Sequence, residues 1–489
     1  MGLLKNLVRK KEEDEWRQSE GPLVRCLNTF DLTMLGFGCV VGAGLYVVIG
    51  QLARNVVGPG IVIAFAIASV AALLAGLCYA EFSSRIPKAG SAYAYTYVTL
   101  GEIWAFITGW NILLEYFIIA AVLARGCSEN IDSLFDGRIY QLFKFVTWHI
   151  PLLAAFPDFL AVLLVIISTC IVCLGVKQSS TFVTVTSFIN MSVVAFIIAA
   201  GTYFSVGSQN WSTGEKFLPY GWSGVIAAGA GAFFCFIGVE QITTASEEAV
   251  DPSRTVPRAI ILTLIISFLA YFAVSAVITL MVPYHSLKEF APIAEAFNTL
   301  GFTAGKYIVI LGAVSATISH LISTMFSVPR VIYSMAADGL LLKGFANIHE
   351  ERKVPIAAAI ASGIFVSFLA FFLEIQELVE MLSIGTLIAY TLLAVSVVIS
   401  RYDPNVVSVD ITAKSVELRW ENQKWCDTFS SKYPQSDGYQ NVPFEGEATE
   451  ASIQTSELVE QIDQPITNAT DSSAFIARIS VTCTTLTLA

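Results

Sequence analysis

The sequence predicts an all-α polytopic membrane protein of ten spans, with helices 1 and 6 broken near their middles. Three observations carry that prediction. The 489 residues are 55% hydrophobic and only 14% charged, with a mean hydropathy of +0.67, a composition of membrane proteins rather than soluble domains. Apolar runs near the roughly 20 residues that cross a bilayer recur from residue 31 to residue 400. Two of the runs gather glycines and polar groups at their centres, where each glycine costs a helix about 1 kcal/mol relative to alanine.

The chain opens with a polar arm, residues 1–29. It carries Lys5, Arg9, Lys10 and Lys11, then Glu12-Glu13-Asp14-Glu15. These charges precede any apolar run, so no cleavable signal peptide is expected. Asn6 stands where a myristoylation motif needs Ser or Thr. Spans are expected at 31–52, 59–84, 102–124, 159–176, 180–204, 222–246, 257–282, 305–335, 354–373 and 377–400. Together they make a core of residues 30–400, with halves at 30–204 and 222–400. Basic residues favour the side holding Arg85, Lys88, Arg254, Arg258, Arg352 and Lys353 only mildly, and that side is expected to be cytoplasmic. Asn210-Trp211-Ser212 is a glycosylation sequon in a loop which that topology places outside. Residues 401–489 hold 6 Lys/Arg and 13 Asp/Glu, most of the net charge of −11. This tail is polar and aperiodic and is expected to be a disordered cytoplasmic segment. A multi-pass protein of the plasma membrane with both termini inside is the resulting expectation.

The first span contains Gly36, Gly38, Gly42 and Gly44. Val41-Gly42-Ala43-Gly44 has little side chain, so a ligand could approach its backbone. An unwound helix there offers free N–H groups and a positive half-helix end, which suit a carboxylate. Close helix–helix packing through small residues is the competing explanation. The sixth span repeats the signal: Gly224, Gly229 and Gly231 lead into Phe236-Ile237-Gly238-Val239-Glu240. Interrupted helices five spans apart point to inverted repeats with a binding site at the bilayer midplane. Half-helix ends that present N–H groups and carbonyls together fit an α-amino acid.

Acids and polar residues inside the spans are the remaining candidates. Glu115 lies deep in the third span and Glu240 adjoins the sixth-span break. A buried carboxylate must be paired, protonated or facing water. Glu102 opens the third span, where it suits a helix N-terminus. Glu81 and Arg85 are spaced as an ion pair, and Pro87 to Tyr93 turns the chain. Ser315, Thr317, Ser319, Ser323 and Thr324 form a polar stripe on the eighth span that either lines a pathway or joins helices, and His320 among them fits a hydrogen-bonded core residue better than a proton relay. The nine cysteines form neither a disulfide framework nor a zinc site. No zincin helix, nucleophile elbow, Walker loop or dinucleotide fingerprint is present, so no enzyme, metal, cofactor or nucleic-acid partner is expected.

Several segments are shared with a known group. They are Gly36 to Gly50, Tyr79-Ala80-Glu81-Phe82 through Tyr93, Gly101-Glu102-Ile103-Trp104-Ala105-Phe106-Ile107-Thr108-Gly109-Trp110-Asn111, Gly175-Val176-Lys177, Pro329-Arg330-Val331-Ile332-Tyr333-Ser334-Met335-Ala336 with Asp338-Gly339-Leu340-Leu341, and Met381-Leu382-Ser383-Ile384-Gly385-Thr386-Leu387. Over roughly residues 25–402 the chain resembles the cationic amino acid transporter group of the amino acid–polyamine–organocation superfamily. The resemblance implies a five-plus-five inverted-repeat, LeuT-like fold that works by alternating access. It implies arginine, lysine or ornithine as substrate, the carboxylate near Gly42, Ala43 and Gly44 and the ammonium near the Phe236–Val239 carbonyls. It makes Glu102 a carboxylate that matters for transport. Asn190 falls where proton-coupled relatives carry a lysine, which implies uniport or exchange driven by membrane potential. Two departures stand out. Gly238-Val239-Glu240 replaces the usual Gly-Phe-Asp, and the ten spans are followed by the polar tail where eukaryotic members usually have fourteen helices. The same fold with a neutral amino acid or polyamine as substrate, and a non-transporting sensor, are the rival expectations.

Overall fold

A computed structural model describes residues 23–135, 138, 157–207, 210–211, 217–288, 291–373 and 375–402, without the side chains of 375–387. The expected tail beyond residue 402 and the arm before residue 23 lie outside the described residues. Val397–Leu486 form a second unit, of which residues 397–402 are described.

All ten expected spans are helical. Helix α1 (Thr29–Val40) starts on a capping box in which Asn28 accepts from the Asp31 N–H and Asp31 accepts from the Asn28 N–H. It stops at Val41, and the path resumes as a π-helical turn, Gly44–Val48, then α2 (Ile49–Leu52) and a second π-helical turn, Ala53–Val57. The first half continues with α3 (Ile61–Arg85), α4 (Ala92–Thr99), α5 (Glu102–Leu134), α6 (Phe159–Leu174) and α7 (Val176–Ser205). The second half has α8 (Gly221–Phe233), α9 (Gln241–Thr244), α10 (Pro252–Met281), α11 (Pro292–Thr299), α12 (Thr303–Ala337), α13 (Ile356–Phe372) and α14 (Ile375–Tyr402).

The lengths repeat in order. A broken helix is followed by a long one (α3, 25 residues; α10, 30), then a helix of 8 residues in each half (α4, α11). Next comes the longest helix of each half (α5, 33; α12, 35), then a short span (α6, 16; α13, 17) and a closing helix (α7, 30; α14, 28). This is the five-plus-five order, expressed as geometry although the two halves share no extended sequence.

Burial explains the composition. The longest helix, α12, has its polar residues Ser315, Thr317, Ser319, Ser323 and Thr324 buried. Apolar side chains such as Ile226 (69% exposed), Ile364 (67%) and Phe188 (61%) point outward, as they do where lipid is the solvent. Among the described residues no strand forms; one parallel bridge joins Leu27 to Ala249.

Candidate functional site

The first break follows from unpaired carbonyls finding side-chain donors. Tyr271 on α10 donates its hydroxyl to the Val40 carbonyl at 2.8 Å and lies 3.2 Å from the Cys235 carbonyl. Asn190 on α7 donates its amide to the Val41 carbonyl (2.7 Å) and accepts from the Tyr46 hydroxyl (2.7 Å). Asn190 therefore bridges the two sides of the interruption with neutral groups only. These partners supply side-chain donors to two carbonyls at the end of the helix inside the protein.

The second break is built differently. α8 tightens into a 3-10 turn, Phe234–Phe236, and then unwinds over Ile237 to Glu240. Gly238 sits at φ +111°, a conformation that favours glycine. Glu240 turns back on this loop: its Oε2 accepts from the Gly238 N–H (2.9 Å) and from the Tyr390 hydroxyl (3.0 Å). Its Oε1 is buried with no hydrogen-bond partner among the described residues.

The two breaks touch. A side-chain carbon on Gly44 would stand 2.7 Å from the Tyr271 hydroxyl and 3.0 Å from the Cys235 side chain. One on Gly238 would stand 3.0 Å from the Cys39 side chain. Close packing thus explains the first-span glycines at Gly36, against Ile242, and at Gly38, against Ser319 and Ser187. Gly42 differs, since its neighbour is the His320 ring at 3.3 Å.

Glu115, 5% exposed, comes to the same place. It and Glu240 both lie within electrostatic reach of the Tyr79, Tyr116 and Tyr390 hydroxyls, so two carboxylates share one neighbourhood of buried phenols. Val41 to Gly44, Phe236 to Glu240, Glu115 and Asn190 are accordingly brought together. Four further candidates, Glu102, Ser315, Thr317 and Asn210, make other contacts. Glu102 is the first residue of α5, 3.5 Å from the Tyr97 hydroxyl, and the helical rise puts it about 20 Å from Glu115. Ser315 and Thr317 turn their hydroxyls back onto the Gly312 and Ala313 carbonyls of their own helix. Asn210 donates its amide to the Leu280 carbonyl (2.8 Å).

Sequence reasoning missed Tyr271, and it missed a latch at the end where α1 begins. Arg330 and Glu248 are both 0% exposed and form a two-point pair, Nε to Oε2 at 3.0 Å and Nη2 to Oε1 at 2.6 Å. The Glu248 carbonyl accepts from the Cys26 and Leu27 N–H groups (2.8 and 2.9 Å). Lys88 pairs with Glu247 nearby (3.7 Å), and the Ser91 and Thr243 hydroxyls meet at 2.6 Å. The Glu81–Arg85 pair forms as expected (3.0 Å). At the opposite end α11 packs on α2, with Pro292 where a side chain on Gly50 would stand. Glu295 on α11 meets Lys288 (2.7 Å) and Lys306 (2.8 Å). Hydrogen bonds from Lys288 and Lys306 hold its carboxyl down at about 2. A signal for the latch was present: Arg330 stands within an apolar run, and a cation there needs an acidic partner.

Comparison with known proteins fits this architecture. The profile of the amino acid permease family matches residues 27–415. The chain is 45% identical over 386 residues to human (Homo sapiens) cationic amino acid transporter 4, covering 78% of this chain and 61% of that protein. The mouse (Mus musculus) protein of the same name is 42% identical over 400 residues, covering 81% and 62%. The vacuolar cationic amino acid transporter 4 of Arabidopsis thaliana is 37% identical over 407 residues, covering 82% and 68%. The chain thus spans about three fifths of the length of its human and mouse relatives. With broken helices packed against each other and a family profile over most of its length, the chain belongs to the amino acid permease family.

Proposed function

We propose that the protein carries cationic amino acids, with arginine, lysine and ornithine as the substrate class, across a membrane by alternating access. The observation that carries this reading is the pairing of two buried carboxylates, Glu240 and Glu115, beside the touching breaks. The Glu240 Oε1 is buried and has no hydrogen-bond partner among the described residues, and a cation that meets it offsets the cost of burying the charge. The substrate's carboxylate rests at Val41, Gly42, Ala43 and Gly44, and its α-ammonium at the carbonyls of Phe236, Ile237, Gly238 and Val239. The side-chain cation then extends toward Glu240 and Glu115. Glu102 lies off this path, and Ser315 and Thr317 contribute to the packing of α12.

The driving force follows from Asn190. A side chain that cannot change charge holds the Val41 carbonyl and the Tyr46 hydroxyl, so the break in helix 1 needs no proton at this point. Uniport or exchange then runs on the membrane potential, about 2.3 kcal/mol per charge per 100 mV. In this reading the protein works in the plasma membrane with its N- and C-terminal segments on the cytoplasmic side.

Uptake of radiolabelled arginine by the purified chain in liposomes tests the proposal. Uptake should follow an imposed inside-negative potential and resist excess leucine. Glu240→Gln should raise the arginine KM roughly tenfold or more, the value of one charge-assisted contact, and leave competition by neutral amino acids unchanged. Equal losses for charged and neutral substrates would remove Glu240 from cation recognition, and leucine-sensitive uptake without potential dependence would make the substrate a neutral one.

A further inference from the structure

His320 stands at the middle of α12, against the break in helix 1. Its Nδ1 lies 3.3 Å from where a side-chain carbon on Gly42 would be, so glycine at 42 leaves room for the ring. Its Nε2 is buried and has no hydrogen-bond partner among the described residues. The neighbours on α12 are provided for: Ser315 and Thr317 bond their own helix, Ser319 bonds Ser187 (2.7 Å), and Thr324 bonds Gln241. The Ser323 hydroxyl, near the Cys39 thiol, is the exception, buried like the His320 Nε2 without a hydrogen-bond partner among the described residues. An imidazole nitrogen left alone in such a setting loses the solvation it had in water, and a partner that arrives with the substrate restores it. Gly42 is also where the transport reading places the substrate's carboxylate.

We propose that His320, with its proton on Nε2, donates a hydrogen bond to the α-carboxylate of the bound amino acid. The proposal rests on the transport reading above. His320 is then a specificity residue: it distinguishes an amino acid from the amine that lacks the carboxylate. Backbone N–H groups at the break serve any anion, whereas the imidazole adds one donor at a fixed place, supported by the Gly42 backbone it packs on.

Equilibrium binding of radiolabelled arginine to the purified 489-residue chain in lipid nanodiscs tests this, with agmatine, the decarboxylated analogue, as competitor. His320→Ala should weaken arginine roughly tenfold or more and leave agmatine competition unchanged. His320→Gln, whose amide nitrogen reaches near the Nε2 position, should keep arginine binding within about threefold of the unsubstituted chain. His320→Asn reaches only the Nδ1 position and should behave as His320→Ala. Weakening of arginine and agmatine by one common factor, or no weakening, makes His320 a packing partner of Gly42 and overturns the proposal. Should His320→Ala fail to fold, equal arginine affinity in the Gln and Asn variants overturns it instead. An unsubstituted chain that binds neither arginine nor agmatine overturns the transport reading itself, a result separate from any difference between the variants.

Discussion

α4 and α11 occupy the same position in the two halves, yet they are fastened in opposite ways. α4 is buried along nearly its whole length, through Tyr93, Tyr95, Thr96 and Tyr97. Its bonds are internal: the Tyr93 hydroxyl donates to Asp338 at 2.8 Å, and Ser91 just before it meets Thr243. Next to it stands the fully buried Arg330–Glu248 pair. α11 buries one face, Ile293, Ala294, Ala296 and Phe297, and turns the other outward. It is held by Glu295, which meets two lysines near the surface. The repeat dictates where a cap lies; the side chains decide how firmly it is held. Surface ion pairs contribute at most about 1 kcal/mol, while breaking a buried pair costs several. The side-chain bonds therefore fasten α4 through buried groups and α11 through groups near the surface.

The strongest way to break the contrast is at the latch. Glu248→Gln leaves the Arg330 guanidinium buried without its counter-charge, and a loss of about 3–5 kcal/mol is expected. Thermal unfolding of the purified protein would show it, and Arg330→Lys should not be silent, because one ammonium cannot replace the two-point fork. A stability unchanged by Glu248→Gln would mean the latch is not fastening this end. Next in size is Tyr93→Phe, which removes one hydrogen bond to Asp338 and should cost about 1–2 kcal/mol in the same assay.

The smallest change is expected at Glu295→Gln, below about 1 kcal/mol and shrinking further in high salt. Its pH dependence sharpens the comparison. The Glu295 carboxyl sits at about 2 when folded, below the ordinary value of roughly 4.3. Its stabilising contribution is present in full above about pH 4.3 and is lost as pH falls toward 2. Melting curves of the unsubstituted and Glu295→Gln proteins should therefore converge through that window. Curves that stay parallel down to pH 2 would show that the lysine contacts do not hold α11.

Much of this fold was legible in the sequence. The spans were visible because lipid demands unbroken apolar length, and both breaks were visible because glycine is costly in a helix and glutamate is costly in a membrane. α4 and α11 were not anticipated, since eight residues are too few to show a helical period against neighbouring polar turns. The site was half legible. Charged residues announce themselves in an apolar run, so Glu115 and Glu240 stood out. The neutral donors that close the breaks were less visible: nothing local distinguishes Tyr271, which reaches a carbonyl 231 positions away, from a packing residue, and Asn190, which reaches one 149 away, stood out only through the family resemblance. The Ser315 and Thr317 hydroxyls bond carbonyls of their own helix, as helical hydroxyls readily do. His320 departs from its expectation at one atom, since its Nε2 is buried without a hydrogen-bond partner among the described residues.

The Tyr271 hydroxyl carries one proton and stands before two carbonyls, Val40 at 2.8 Å and Cys235 at 3.2 Å, one from each broken helix. It can donate to only one of them at a time. One hydroxyl thus serves a carbonyl of each broken helix and ties the two interruptions together at a single point. Phenylalanine at this position would keep the ring stacked on Phe65 and remove that tie.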